Sequence, residues 1–333
     1  MQMDPTYEKP ATVNAASEAA TAEGARIIAG GTTMVDLMKV GALTPAALVD
    51  INGLSPLHGV EIGAEQLKFG ALATMAQVGD DPALAEAFPA LTESLWKAAS
   101  PQLRNVATLG GNILQHTRCP YFRDTAFAQC NKRVPGSGCA ALEGGETTLH
   151  AIFGGSSSCV AMYPGDLAQT LIAFDAVVTT QGPGGTREIP FAQMHLLPED
   201  TPHIETVLEA GEIVTAISLP VIPAMSNSIY SKARDRESYA FASASAAVGL
   251  ETDGETVRDV RIGLGGVAAV PWRATAAEDF LRGKALTEEN FREAGRIAFA
   301  DATALEGSAY KIALGADVLT GALMTLKSRT GDK

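Results

Sequence analysis

Every cysteine of this 333-residue chain, Cys119, Cys130, Cys139 and Cys159, falls inside one stretch rich in glycine, proline and arginine. That grouping constrains the middle of the chain more than any other feature. Structural thiols would be scattered along apolar core strands. Here they sit in Arg118-Cys119-Pro-Tyr-Phe-Arg-Asp124 and Cys130-Asn-Lys-Arg-Val-Pro-Gly-Ser-Gly-Cys139, with Cys159 following. Four thiolates can close around zinc or an iron–sulfur cluster. The spacing C-x10-C-x8-C-x19-C has neither the paired knuckles of a zinc ribbon nor a ferredoxin run. A disulfide scaffold would be shorter and denser in cysteine. Arg118, Arg123, Lys132 and Arg133 are expected to offset the negative charge of such a centre. His116, three residues before Cys119, is a minor alternative ligand.

The rest of the composition is that of a folded globular chain, 46% apolar and 19% charged. A net charge of −13 argues against nucleic acid or an anionic membrane surface as partner. No run of 18 apolar residues occurs, so no spanning helix is expected. The first residues lack a basic start and an apolar run, so no secretory signal is expected.

Two paired-glycine segments carry the second signal. Ile28-Ala29-Gly30-Gly31-Thr32-Thr33-Met34 lies at a strand-to-helix junction. Its glycines let backbone approach a ligand, and its free N–H groups favour an anion such as a pyrophosphate. An ordinary tight turn with a threonine cap is the plainer reading. Ala107-Thr108-Leu-Gly110-Gly111-Asn112-Ile113 reads as a second such turn, ending in a polar donor. Gly263-Leu-Gly265-Gly-Val-Ala268 fits G-x-G-x-x-A formally, but Pro271 comes too soon for the required helix. No G-x-S-x-G occurs, so nothing suggests a hydrolase.

Periodicity predicts a helix over 12–23, a strand Arg26–Ala29, a helix Met34–Lys39 stopped by Gly41, and a strand Ala47–Ile51. A strand Leu67–Ala71 and a helix over 83–98 follow, then a loop-rich stretch over 100–160. Beyond it come a helix Asp166–Phe174, a strand Ala176–Thr180 and a half-buried strand Glu212–Pro220. Pro220 and Pro223 mark a boundary. The tail reads as strands 228–233, 240–250 and 257–264, then helices 274–282, 288–301 and 308–327. The fold class is α+β: a small α/β unit (1–56), a larger mixed unit (57–224) with a cysteine-bearing insert (113–160), and an antiparallel sheet covered by helices (225–333).

Taken in order, A-G-G-T-T-M-V-D-L-M-K, R-N-V-A-T-L-G-G-N-I, P-G-D-L-A and R-A-x-x-x-E-x-x-L-x-G (Arg273 to Gly283) resemble the FAD-binding medium subunit of molybdenum hydroxylases, the xanthine dehydrogenase and aldehyde oxidoreductase superfamily. The likeness covers nearly the whole chain. The cysteine insert is similar to that of flavin subunits in heterotrimeric bacterial aldehyde oxidoreductases that also hold a [4Fe–4S] cluster. Flavin subunits of xanthine dehydrogenase-like or hydroxybenzoyl-CoA reductase-like enzymes are the alternative, and a zinc-binding flavoprotein a more distant one.

The resemblance implies that Ile28, Ala29, Gly30, Gly31, Thr32, Thr33 and Met34 wrap the FAD pyrophosphate. It places Thr108, Gly110, Gly111 and Asn112 in a second cofactor turn and Asp166 beside the nucleotide. Ile213 and Val214 would lie against the isoalloxazine, with Lys232 nearby. Cys119, Cys130, Cys139 and Cys159 would be the cluster ligands. Thr33-Met34 departs from many relatives, but backbone amides do the binding there. The implied partners are a large subunit with the molybdenum cofactor and a small subunit with [2Fe–2S] clusters, in a heterotrimer. Substrate chemistry would then lie on the large subunit, and electrons would reach an external acceptor through FAD here. The expected location is the cytoplasm, or the periplasm if the small partner carries a twin-arginine signal.

Overall fold

The computed structural model describes residues 4–330; the ends of the first and last expected domains, 1–3 and 331–333, lie outside the described residues. Three sheets organise the chain. The first is parallel, in the order β1 (Thr6–Glu8), β3 (Ala47–Asp50), β2 (Ala25–Ile28). Parallel neighbours need a crossover, and the helices Val13–Ala19 and Met34–Lys39 supply it. The Ala15 N–H donates to the Thr12 hydroxyl at 3.1 Å and starts the first. It ends at Ala19, earlier than its alanine-rich composition predicts: the Thr21 N–H and hydroxyl both donate to the Glu18 carbonyl and tighten the last turn, and Gly24, with φ +73°, then turns the chain into β2. The second helix has the predicted limits.

The second sheet is antiparallel: β4 (Val60–Ile62), β5 (Gln66–Gly70), β8 (Ile213–Pro220), β6 (Val177–Gly182), β7 (Gly185–Pro190). Its buried face joins Phe69, Val178, Ile217 and Leu219 to Leu84, Leu91, Phe88 and Phe174 from the helices above it. The helix predicted over 83–98 is two helices, Pro82–Ala87 and Pro89–Trp96. Pro89 has no N–H to give, and it pushes Phe88 out of helical conformation, to φ −147° and ψ 70°. The phenyl ring of Phe88 then packs edge-on against Phe174, centroids 4.6 Å apart.

The third sheet is antiparallel throughout, in the order β12 (Trp272–Arg273), β11 (Thr256–Gly265), β10 (Ala244–Asp253), β9 (Ser228–Ala233). Gly263 and Gly265 lie in β11, so the G-x-G-x-x-A match is strand rather than a strand-to-helix turn. The helices Thr275–Leu281, Glu288–Ala298 and Tyr310–Thr330 cover one face. The segment Glu306–Thr330 is apolar enough by length and composition to cross a membrane, with mean hydropathy 1.2. Its Leu319, Leu323 and Leu326 are buried against the sheet, so its apolar face already has a partner.

The R-A-x-x-x-E motif is part of this scaffold. The buried Glu278 carboxylate accepts from the Ile262 N–H at 2.8 Å and from Arg273 Nε at 3.0 Å. It ties the helix Thr275–Leu281 to β11, and Gly283, at φ +75°, turns the chain after the helix.

Candidate functional site

Two glycine segments from different parts of the chain meet. A Cβ on Gly30 would overlap the Val106 carbonyl oxygen and stand 2.7 Å from its carbon. Only a glycine lets the loop after β2 lie against the segment before Leu109. Gly31 has φ +72°, the left-handed region. Between the segments runs a cleft of about 140 Å³. Ile28 to Met34, Thr108, Gly110, Gly111, Ile213 and Val214 line it, with Ile51, Leu72, Leu114, His116 and Glu212 completing the walls.

The two segments differ in what they offer a ligand. Among the described residues, the N–H groups of Gly30, Gly31, Thr32 and Thr33 donate to no protein acceptor. Four consecutive donors on a cleft wall make an anion seat. The second segment is not the expected turn but a short helix, Leu109–Ile113. Its N–H groups are occupied: Gly110 donates to the Ala71 carbonyl at 2.9 Å, and Gly111 to the capping Thr108 hydroxyl at 3.2 Å. It therefore acts as a wall. A Cβ on Gly110 would stand 2.9 Å from that of Ala71, so this wall too depends on a missing side chain.

Asn112 lies behind this wall. Its Nδ2 is 3.4 Å from Met75 Sδ, and its buried Oδ1 has no partner. Asp166 and Lys232 do not line the cleft; they pair with each other at 2.8 Å in a buried site beside Tyr230, whose hydroxyl also donates to Asp166. Burial pushes the Asp166 carboxyl up, against the pull of Lys232.

The four cysteines are free thiols that line one small cavity, joined there by Lys132, His150 and Ala161. Local hydrogen bonding folds the insert into this shape. Cys130 and Cys139 face each other in an isolated bridge, closed by Asn131 N–H donating to the Gly138 carbonyl at 2.8 Å. Arg133 donates to the Tyr121 and Phe122 carbonyls, both at 2.8 Å, and holds the turn after Cys119. Burial pushes the Cys119 thiol up to about 12, and the neighbouring Cys159 and Cys130 add to the effect. As placed, no group of three or more His, Cys, Asp or Glu among the described residues could hold a metal ion. All four cysteines nevertheless line this one small cavity.

Three of the expected counter-charges are engaged away from the cavity, while the fourth, Lys132, lines it and lowers the Cys159 thiol against the burial that raises it. Arg118 and Arg123 both clasp Asp36, at 3.0 Å and 2.7 Å. Lys132 pairs with Glu205 at 2.8 Å. Arg133 serves backbone carbonyls. His116 pairs with Glu205 and stands on the glycine cleft, not at the cysteines. Burial opposes the charge on Glu205, but His116 and Lys132 hold its carboxyl down at about 2.

The groups that sequence reading missed are His150 and Lys311. His150 Nε2 lies 3.4 Å from Cys119 Sγ. Lys311 is 1% exposed and projects from the C-terminal helix. Nothing local in the sequence pairs Lys311 with the cysteines, and His150, inside the insert, stands at no ligand spacing that marks it.

The clasp on Asp36 joins the two features. Asp36 lies in the first turn of the helix that follows the glycine loop. Phe122, from the insert, packs with Leu37 of the same helix and with Cys130. The cysteine insert is thus braced against the element that carries the anion seat.

Comparison with known proteins bears on the glycine cleft and the fold that carries it. A family model described as the FAD binding domain in molybdopterin dehydrogenase matches residues 2–222, and one described as the CO dehydrogenase flavoprotein C-terminal domain matches 228–324. The chain is 46% identical over 276 residues to the aldehyde oxidoreductase FAD-binding subunit PaoB of Escherichia coli, covering 82% of this chain and 84% of that one. It is 27% identical to the carbon monoxide dehydrogenase medium chain of Hydrogenophaga pseudoflava, covering 90% and 88%. A solved structure of carbon monoxide dehydrogenase from the same organism superposes with a TM-score of 0.77 at 25% identity, over 99% of both chains.

Proposed function

The chain belongs to the FAD-binding medium subunits of the molybdenum hydroxylase family, and from that premise we propose that it is the flavin-bearing electron-transfer subunit of a heterotrimeric aldehyde oxidoreductase. The observation that carries the reading is the row of four unengaged N–H groups from Gly30 to Thr33 on the glycine-walled cleft. The identity of 46% with an aldehyde oxidoreductase FAD-binding subunit supports the aldehyde assignment.

The residues fit FAD. The Gly30–Thr33 amides would take the pyrophosphate, with the Thr32 and Thr33 hydroxyls as further donors. Gly110 and Gly111 would let the wall approach closely. Ile213 and Val214, buried on β8, would offer an apolar surface to a ring. Asp166 and Lys232 would act from behind, by fixing β9 against the helix Leu167–Ala173. When bound, FAD supplies the redox chemistry, while the protein supplies placement and electrostatics. A large molybdenum-cofactor subunit and a small [2Fe–2S] subunit are the proposed partners.

We propose further that Cys119, Cys130, Cys139 and Cys159 hold a [4Fe–4S] cluster. Four soft sulfur donors and no disulfide suit iron–sulfur or zinc. A tetrahedral zinc needs all four sulfurs at ~2.3 Å from one point. The four cysteines share one cavity without being set around a single ion, which suits a multi-iron centre better than zinc. Such a centre supplies a one-electron couple whose potential follows its charge and hydrogen bonds. Its proposed role is structural or potential-tuning, because its loops brace the flavin-loop helix through Asp36.

The test is co-expression with both partners, then flavin and metal counts on wild type and C139S. The reading expects FAD in both and iron on this subunit in wild type only. A flavin-free wild type would refute it. Slow turnover in C139S, with FAD retained and subunits assembled, would make the cluster a relay.

A further inference from the structure

Near the cysteine cavity, though not on its lining, is a buried cation with no anion, whose charge acts on His150, which does line it. Lys311 donates to the Gly266 carbonyl at 2.8 Å and lies 3.4 Å from Met162 Sδ. Among the described residues it forms no ion pair, and both neighbours are neutral. An isolated ammonium inside a protein is expensive and tends to shed its proton. Burial alone already lowers Lys311 to about 8. The other basic side chains near the cavity are taken by Asp36, Glu205 or backbone carbonyls. The feature that would compensate Lys311 is negative charge in the cavity itself.

Lys311 connects to the cavity through Met162 and His150 rather than by direct contact. Met162 follows Cys159 on the same segment, and its carbonyl accepts from the Thr117 hydroxyl at 2.8 Å. That hydroxyl in turn accepts from the Cys119 N–H at 3.2 Å. His150 closes the other side. It is 1% exposed, lies stacked near Tyr121 with centroids 5.9 Å apart, and has its Nε2 at 3.4 Å from Cys119 Sγ. Either ring nitrogen of His150 can carry a proton, and Nε2 is the one that faces the sulfur. A metal-bound thiolate can only accept, so that proton belongs on Nε2, facing the sulfur. Nδ1, which has no partner, is left bare.

We propose that Lys311 and His150 form the counter-charge and hydrogen-bonding shell of the cluster, and that together they raise its reduction potential. The inference rests on the reading that the cysteines hold a [4Fe–4S] cluster. Reduction adds one electron, with no proton, to a centre already at net charge about −2 with its four thiolates. A buried cation and an N–H aimed at a ligand sulfur both stabilise the reduced form more than the oxidised one. The two residues are positioning residues; neither is placed as a ligand.

The test uses the purified heterotrimer, with iron counted first and an EPR-monitored redox titration second. In K311M and in H150F the reduction equilibrium of this cluster is expected to fall roughly tenfold, a shift of ~59 mV to lower potential for one electron. K311R, which keeps the charge, is expected to restore most of it, and the FAD and [2Fe–2S] potentials should not move. An iron-loaded K311M that titrates like wild type overturns the role of Lys311. If K311M fails to assemble, H150F decides alone: iron present with an unchanged potential overturns the proposal. Wild-type subunit without iron would refute the cluster reading itself, which is a different failure.

Discussion

The contact between the two glycine segments gives the most demanding prediction. Gly30 has no strained φ, so G30A adds only a methyl group. That methyl would overlap the Val106 carbonyl oxygen and stand 2.7 Å from Val106 C and 3.3 Å from Ala107 Cα. All three atoms are backbone, so no side chain can swing aside. One segment must withdraw by roughly an ångström, opening the anion seat. Overpacking of this kind costs about 1–3 kcal/mol. If that cost falls on the flavin-competent geometry, FAD affinity drops by roughly 5- to 150-fold. The assay is flavin titration of the deflavinated complex, read by quenching of FAD fluorescence. G53A is the control, since nothing lies within 4 Å of a Cβ there. Wild-type FAD affinity in G30A, with the fold intact by circular dichroism, would refute the claim that this contact shapes the site.

Other predictions follow from the same structure. E278A leaves Arg273 and the Ile262 N–H without their buried partner, and should cost about 3–5 kcal/mol in a denaturant titration. L323A empties a fully buried position beneath the C-terminal helix and should cost about 2–5 kcal/mol, seen as a lower Tm. The Arg123 guanidinium holds the Asp36 carboxyl below its ordinary 3.8. This depressed value contributes stability above the unfolded pKa, and the contribution disappears as pH falls below about 3.8 through the folded value. D36N should remove that portion of the acid dependence and loosen the insert, measured as faster iron loss during an acid titration.

What the sequence disclosed depended on how local the cause was. The helix Met34–Lys39 was legible to its ends, because the Gly-Gly loop before it and Gly41 after it are local signals. The antiparallel tail was legible from alternating apolar positions and the long helices behind them. The break at Phe88 was missed because the apolar pattern runs on through Pro89 and hides it. Gly110-Gly111 reads as a turn because glycine disfavours helix. The Thr108 cap and the close passage of Ala71 override that preference. The arginines beside the cysteines looked like counter-charges because they are near in sequence. Their partner, Asp36, belongs to the flavin-loop helix, and the unpaired buried lysine comes from the other end of the chain. Only the folded topology brings Lys311 near the insert and turns His150, within it, toward Cys119.

On the proposed reading, one polypeptide seats a flavin dinucleotide and an iron–sulfur centre side by side. Native mass spectrometry of the heterotrimer, resolved subunit by subunit, tests it most directly. The expected mass for this subunit is its polypeptide plus one FAD and about four irons with their sulfides. A bare polypeptide mass for this subunit, from a complex whose other subunits keep their cofactors, would contradict the account.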